Sequence, residues 1–298
     1  LDMLPEEDIK KLKSKKFQHD YERWNYLIVL LNNNNIEMKD EYKYTRKSKV
    51  VWYNYLAAKV AHKLIVMTAT PFINSENDFD KIFHFGEYSR IVHSFKDIDF
   101  VSKSILNGTS AVLNFALKNN SKFIYSASSS KFGNEGADEN LSPYAFLKSK
   151  MVDLIKNYGS WFNLDYEIAY FFNVYGNRQI YTGKYATVIA IFEKQYLDGD
   201  DLTVVSPGTQ SRDFTHVKDI VSGLLIIMNI KKNGEWHLRS GKIFTILEVV
   251  KMFDVNYKII PERRGERFTA EQINNNTQEE LGWEPKKTLK EWINQIKR

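Results

Sequence analysis

The order of apolar and polar positions divides the chain into blocks of different period. Near the front, Leu4 to Glu7 reads as a helix start, and Ser48 to Ala61 carries apolar residues at helical spacing. Lys63 to Thr70 reads as a buried strand closed by Pro71. Beyond it, Ile82 to Gly86, Lys122 to Ser128 and Tyr166 to Val174 are short apolar runs of the kind that a parallel sheet buries on both faces. Asp97 to Lys118 and Pro143 to Tyr158 lie between them, helical in pattern and long enough to cross over a sheet. The order strand, helix, strand, helix, strand predicts a doubly wound α/β sheet. After Gly176 the blocks shorten. Leu202 to Val205 and Tyr257 to Ile260 are strand candidates of a smaller mixed lobe packed against that sheet.

Composition bounds the class. With 298 residues, 43% hydrophobic and 27% charged, the chain has ordinary globular usage and length for a sizeable core, so a folded, soluble protein is expected. The absence of cysteine excludes a disulfide framework, a thiolate metal site and a cysteine nucleophile, and makes the cytoplasm the default compartment. Lysine and arginine number 42 against 37 acidic residues, a diffuse excess that gives no reason to expect a nucleic-acid partner. The cluster from Lys10 to Lys16 reads as a solvated helix face. The apolar stretch Tyr26 to Leu31 is far below the roughly 20 residues of a membrane span, and no membrane partner is expected. The six histidines form no paired-ligand spacing, so no metal is expected.

Glycine usage marks a junction. All 14 glycines lie at Gly86 or later, although average usage of about 7% would place roughly six in the first 85 residues. The expected organisation is a mainly helical segment over 1–80, a sheet-forming portion over 81–176 and a smaller α/β lobe over 177–298, some of whose elements return to the sheet.

The candidate chemistry begins at Ser142. This residue can cap a helix whose first position suits Pro143, which puts Tyr144 in the first turn and Lys148 on the same face. A neighbouring ammonium and the positive helix end both favour phenolate, lowering a pKa whose reference value is about 10 toward that of a general base. The spacing alone is weak evidence, since Tyr55 and Lys59 match it too. The strand before it ends in hydroxyls, Ser126, Ser128, Ser129 and Ser130, at the edge where open α/β sheets bind ligands. Such a serine can hydrogen-bond the substrate hydroxyl that Tyr144 deprotonates.

Taken together, seven ordered marks resemble the extended short-chain dehydrogenase/reductase family in its nucleotide-sugar epimerase/dehydratase branch. They are Phe83 to Gly86, Ser126 to Gly133, Tyr144 to Lys148, Phe171 to Gly176, Arg212 to Asp219, Pro261 to Gly265 and Leu281 to Pro285, so the resemblance covers about 82–298. It implies a Rossmann-like sheet, NAD or NADP as cofactor, and a UDP- or GDP-sugar as substrate. Tyr144 would be the acid/base, Lys148 would hold the nicotinamide ribose, and Ser128 would bind the reacting sugar hydroxyl. Phe85, Gly86 and Ser126 would line the cofactor. Ser129, Asn173, Arg212 and Arg263 would contact the substrate, the arginines through its phosphates, which a guanidinium can grip bidentately. A homodimer through helices matching Asp97 to Lys118 and Pro143 to Tyr158 is also implied. Sugar 4,6-dehydratases carry an acidic pair after the position of Ser128, and the decarboxylase subgroup a glutamate there. Here Ser129 and Ser130 occupy those places, which favours 4-epimerisation, or alternatively 4-keto reduction.

The resemblance fails at the front. Its members begin with a strand and a glycine-rich turn whose backbone N–H groups approach the cofactor pyrophosphate, and no glycine precedes Gly86. The first βαβ unit is expected to be missing or replaced. Lys63 to Asn74 instead resembles the Thr-Ala-Thr-Pro motif of superfamily 2 helicases, without a Walker A loop or acidic box over 1–62. The rival readings are therefore a catalytically inactive sugar-nucleotide binder and a helicase-fragment fusion.

Overall fold

The computed structural model describes Glu7, the backbone of 64–67, and residues 80–132, 139–265, 268–269 and 276–298. The chain separates into two compact units, Leu1–Val66 and Met67–Arg298. The front helices, the helicase-like motif beyond its strand and Gly133 lie outside the described residues. Within the Lys63 to Thr70 run, Leu64–Met67 is a strand, β1.

In the second unit, β2 (Lys81–His84), β3 (Lys122–Ser128), β4 (Tyr166–Phe171) and β8 (Glu235–Leu238) lie side by side in that order, all parallel. The sheet is doubly wound and Rossmann-like, as expected. β3 and β4 are buried almost end to end, which is why their sequences are nearly unbroken apolar runs. The crossover from β2 to β3 passes through α1 (Ile91–Ser94), α2 (Ile98–Ser102) and α3 (Gly108–Lys118). Where the pattern predicts one helix from Asp97, the chain is helical throughout but widens to π geometry over Lys103–Asn107.

The crossover from β3 to β4 is α4 (Pro143–Phe162). Its start is as expected: Ser142 Oγ accepts from the Ala145 N–H at 3.1 Å, with Pro143 at the first position. It ends four residues later than the pattern indicates, where Asn163 turns left-handed at φ 55°.

The lobe after Gly176 holds two small sheets. One pairs β6 (Leu202–Val205) in parallel with β10 (Tyr257–Ile260). In the other, β7 (Ser211–His216) lies between β5 (Asn173–Tyr175), parallel, and β9 (Ile243–Thr245), antiparallel. Helices α5 (Val188–Asp198), α7 (Ile246–Phe253) and α9 (Leu289–Ile296) pack on them, α6 (Val217–Ile227) meets both β7 and the main-sheet strands β4 and β8, and α8 (Thr277–Leu281) packs on α6 and β8. Phe192, Phe214, Val249, Phe253 and Ile293 form part of the lobe core. β8 is the element that goes back to the main sheet.

One buried carboxylate ties that return. Glu167 of β4 is fully buried; it accepts from the Lys122 ammonium at 3.2 Å, the Lys232 and Gly234 N–H groups at 2.9 Å, and Trp236 Nε1 at 2.6 Å. A buried charge is tolerable only with such partners.

Candidate active site

The site forms where β3 runs out. Because strands of a parallel sheet end together, the hydroxyls at the carboxyl end of β3 face the first turn of α4, which packs back across the sheet. Ser128 caps the 3₁₀ turn Ser129–Lys131, accepting from the Ser130 N–H at 3.2 Å and its hydroxyl at 2.9 Å. Its own hydroxyl meets the Tyr144 phenol. Tyr144 is held from behind, since its N–H donates to Ser94 Oγ of α1 at 3.3 Å. One turn along the helix, the buried Lys148 ammonium donates to the Ser126 carbonyl at 2.5 Å and sits 4.1 Å over the Tyr125 ring. Ser126, Ser128, Tyr144 and Lys148 are thus brought to one place.

The electrostatics differ from the expectation. Burial pushes the Tyr144 phenol up, to about 12; the Ser128 hydrogen bond and Arg90 pull it down, and Glu87 adds to the rise. The expected lowering by Lys148 is absent because Lys148 is committed elsewhere: it forms a buried ion pair with Glu87. Burial alone would raise the Glu87 carboxyl, but Lys148 and His84 outweigh it and hold it at about 2, ionised at neutral pH.

Glu87 and Arg90 are residues that the sequence reading passed over. Glu87 follows directly on the Phe83 to Gly86 mark, and a carboxylate just past a buried strand was the available signal. Its Oε1 accepts from Tyr125 Oη at 3.1 Å and from the Thr109 hydroxyl. Thr109 has spent its hydrogen on Glu87, so His84 donates to it through Nε2, at 3.0 Å. Arg90 donates to the Tyr185 carbonyl, while its Nε is buried without a partner among the described residues.

The other expected residues are placed as follows. Phe85 packs edge-on against Phe83 and Phe171, both at 5.7 Å, beside Gly86. Ser126 Oγ donates to the His84 carbonyl at 3.1 Å. Ser129 is the buried first residue of the 3₁₀ turn. Asn173 lies just past the end of β4 and is opposite Phe214 of β7, the strand that carries Arg212. Arg212 is buried and donates to the Ser211 carbonyl at 2.7 Å, while its neighbour Asp213 pairs with Arg239 at 3.0 Å. Arg263 is exposed. Its turn folds onto α1, where Gly265 (φ +76°) leaves no room for a Cβ against Phe95, and Arg264 stacks 4.2 Å from the Phe95 ring.

The family model described as the NAD dependent epimerase/dehydratase family matches residues 40–239, beginning well before the first mark recognised in the sequence. UDP-glucuronic acid decarboxylase 6 of Arabidopsis thaliana is 27% identical over 237 residues, covering 72% of this chain and 68% of its own. Against decarboxylase 2 of the same plant, the matched part spans 52% of the relative's length. Among solved structures, the UDP-N-acetylglucosamine 4-epimerase of Methanobrevibacter ruminantium superposes with a TM-score of 0.66 at 25% identity, covering 74% of each chain. With a match over two thirds of its length and the corresponding fold, the chain belongs to the NAD dependent epimerase/dehydratase family.

Proposed function

We propose that the chain is an NAD-dependent nucleotide-sugar 4-epimerase acting on a UDP- or GDP-sugar. The observation that carries the reading is the Tyr144 phenol on the Ser128 hydroxyl, with the Lys148 ammonium one turn behind, at the carboxyl edge of a parallel sheet. These donors fit the reactive half of a nicotinamide cofactor: Lys148 and the Ser126 edge would hold the nicotinamide ribose, and Phe85 and Gly86 would flank it. For the pyrophosphate half, the described residues contain no glycine-rich turn at a strand end. When bound, the nicotinamide supplies hydride transfer.

The chain's own part is the proton. Ser128 orients the sugar hydroxyl, and Tyr144 takes its proton and returns it. Asn173 and Arg212, on neighbouring strands that lead into the lobe, would hold the nucleotide end of the substrate, with Arg263 as a second phosphate contact. Ser129 and Ser130 put no carboxylate next to Ser128, which supports epimerisation over dehydration or decarboxylation.

A second reading, a nucleotide-sugar 4-keto reductase, is favoured by one observation. A phenol held at about 12 is a proton donor at neutral pH, the form that reduction of a ketone needs. Two further parts of the proposal are a homodimer and a cytoplasmic setting. The dimer is supported by apolar side chains left exposed on the two expected helices, among them Phe100 (55%) and Phe146 (44%). The cytoplasmic setting is supported by the absence of cysteine; among the described residues no helix is long and apolar enough to cross a membrane.

The test is NAD(H) titration of the full chain by calorimetry, then incubation with UDP- and GDP-sugars. An epimerase interconverts two sugars without net loss of cofactor, whereas a reductase consumes NAD(P)H in proportion to product. Tyr144→Phe should lower kcat at least about a thousandfold while leaving NAD affinity within about threefold. Absence of NAD binding at millimolar concentration overturns both readings.

A further inference from the structure

Beneath Tyr144 lies a buried carboxylate that the proton chemistry above does not use. The Glu87 and Lys148 side chains are 3% and 5% exposed, so each charge has lost nearly all its water. The elements packed around the pair present His84 from β2, Thr109 from α3, Tyr125 from β3 and Tyr144 from α4, with Arg90 on the segment after β2. Both tyrosines are held above the ordinary phenol value by burial. They are therefore neutral at pH 7, and Glu87 is the one full negative charge that Lys148 meets among the described residues. The other contacts of the ammonium, the Ser126 carbonyl and the Tyr125 ring face, are dipolar.

We infer that Glu87 is the positioning residue of the lysine: it opposes the loss of charge by the buried Lys148 and pins the ammonium at the carboxyl edge of β3, one turn along α4 from Tyr144. The geometry argues for it. Oε2 takes the ammonium, while Oε1 is fixed independently by Tyr125 and Thr109, and Thr109 in turn by His84. A carboxylate restrained at both oxygens holds its partner in one place, and the two further donors on Oε1 are the kind of added hydrogen bonding under which a buried ion pair is tolerated. Without it the lysine would be a lone desolvated ammonium, which loses its proton readily. The catalytic consequence rests on the epimerase reading; the ion pair itself does not.

The experiment uses the full, cofactor-free chain labelled with ¹³C-lysine, the Lys148 Cε resonance being assigned by its loss in Lys148→Met. In the unmodified chain burial, opposed by Glu87, should bring the titration midpoint of this resonance below the ordinary lysine value, and in Glu87→Gln it should fall further, by about two units or more. Equal midpoints in the two proteins overturn the inference. Should Glu87→Gln fail to fold, Lys148→Met carries the test through stability. Glu87 would then be a buried carboxylate without its cation, its folded pKa raised, so stability should be intact below about pH 4.5 and fall as pH rises. Flat stability across that range is the contrary result. In turnover, Glu87→Gln should lose kcat about tenfold between pH 7 and 9 where the unmodified chain loses less than twofold, a change that a merely structural defect would not produce. Failure of the unmodified chain to bind NAD overturns the epimerase reading and leaves the lysine titration to decide the role of Glu87.

Discussion

The chemistry of this protein rests on a few side chains whose behaviour follows from what surrounds them. Ser128 is both a turn cap and the contact of the Tyr144 phenol, so Ser128→Ala should cost kcat about a hundredfold and raise the phenol further, moving any basic limb of the rate profile to higher pH. His237 shows the same logic in stability. Enclosed by Phe132, Tyr170 and Phe172, with Nδ1 buried and unpartnered among the described residues, it is lowered by burial to about 4. A histidine with a depressed pKa contributes stability that is complete above its ordinary value of about 6.5 and is lost as pH falls toward 4. That loss amounts to about 3 kcal/mol. Glu87 adds a second loss between about 4.5 and 2. Denaturant melts should therefore weaken in two stages on acidification, and His237→Phe should remove the first. The Tyr144 and Lys148 pair was legible in the sequence because helix spacing is local. The partner that claims Lys148 was not, because Glu87 reaches it only through the crossover of the sheet.

At the scale of elements, apolar runs located β2, β3 and β4 because burial on both faces leaves little choice of residue, whereas β6 buries one face and β10 is mostly exposed, and their β-branched residues marked them. β7 and β8 carry Arg212, Asp213, Glu235 and His237, of which Asp213 and Glu235 are satisfied by distant partners, and so gave no apolar run to read. The π turn was illegible for a different reason: it changes hydrogen-bond register without changing which residues are apolar. The strongest element-level prediction concerns Glu167. Glu167→Gln leaves the buried Lys122 ammonium with only the partly exposed Asp165 carboxylate, at 3.7 Å, and should lower stability by about 2 kcal/mol or more. Lys122→Met combined with it should recover part of the loss, which a double-mutant cycle of chemical unfolding measures. Near the C-terminus, Trp283 Nε1 donates to the Asp219 carbonyl at 3.1 Å and to Ser222 Oγ, while the Lys287 N–H donates to the Asp219 carboxylate. Two marks whose bonded residues lie 64 positions apart in the sequence are therefore one joint between α6 and the segment after α8.

For the whole molecule, the exposed apolar positions of α4 predict association. Phe146→Glu with Trp161→Glu should convert the proposed dimer to a monomer in light scattering, with the lobe core unaffected. The return of β8 also fixes an order of events during synthesis. The strand that holds Glu167 leaves the ribosome some 65 residues ahead of Lys232, Gly234 and Trp236. Until those donors emerge, the carboxylate has only Lys122 and stays in water, so the centre of the sheet cannot close over it. A nascent chain arrested at Gly208 should remain protease-sensitive across β3 and β4, and one arrested beyond Leu238 should not. The early strands wait for the late one, and a half-made chain is a client for chaperones rather than a folded half-protein.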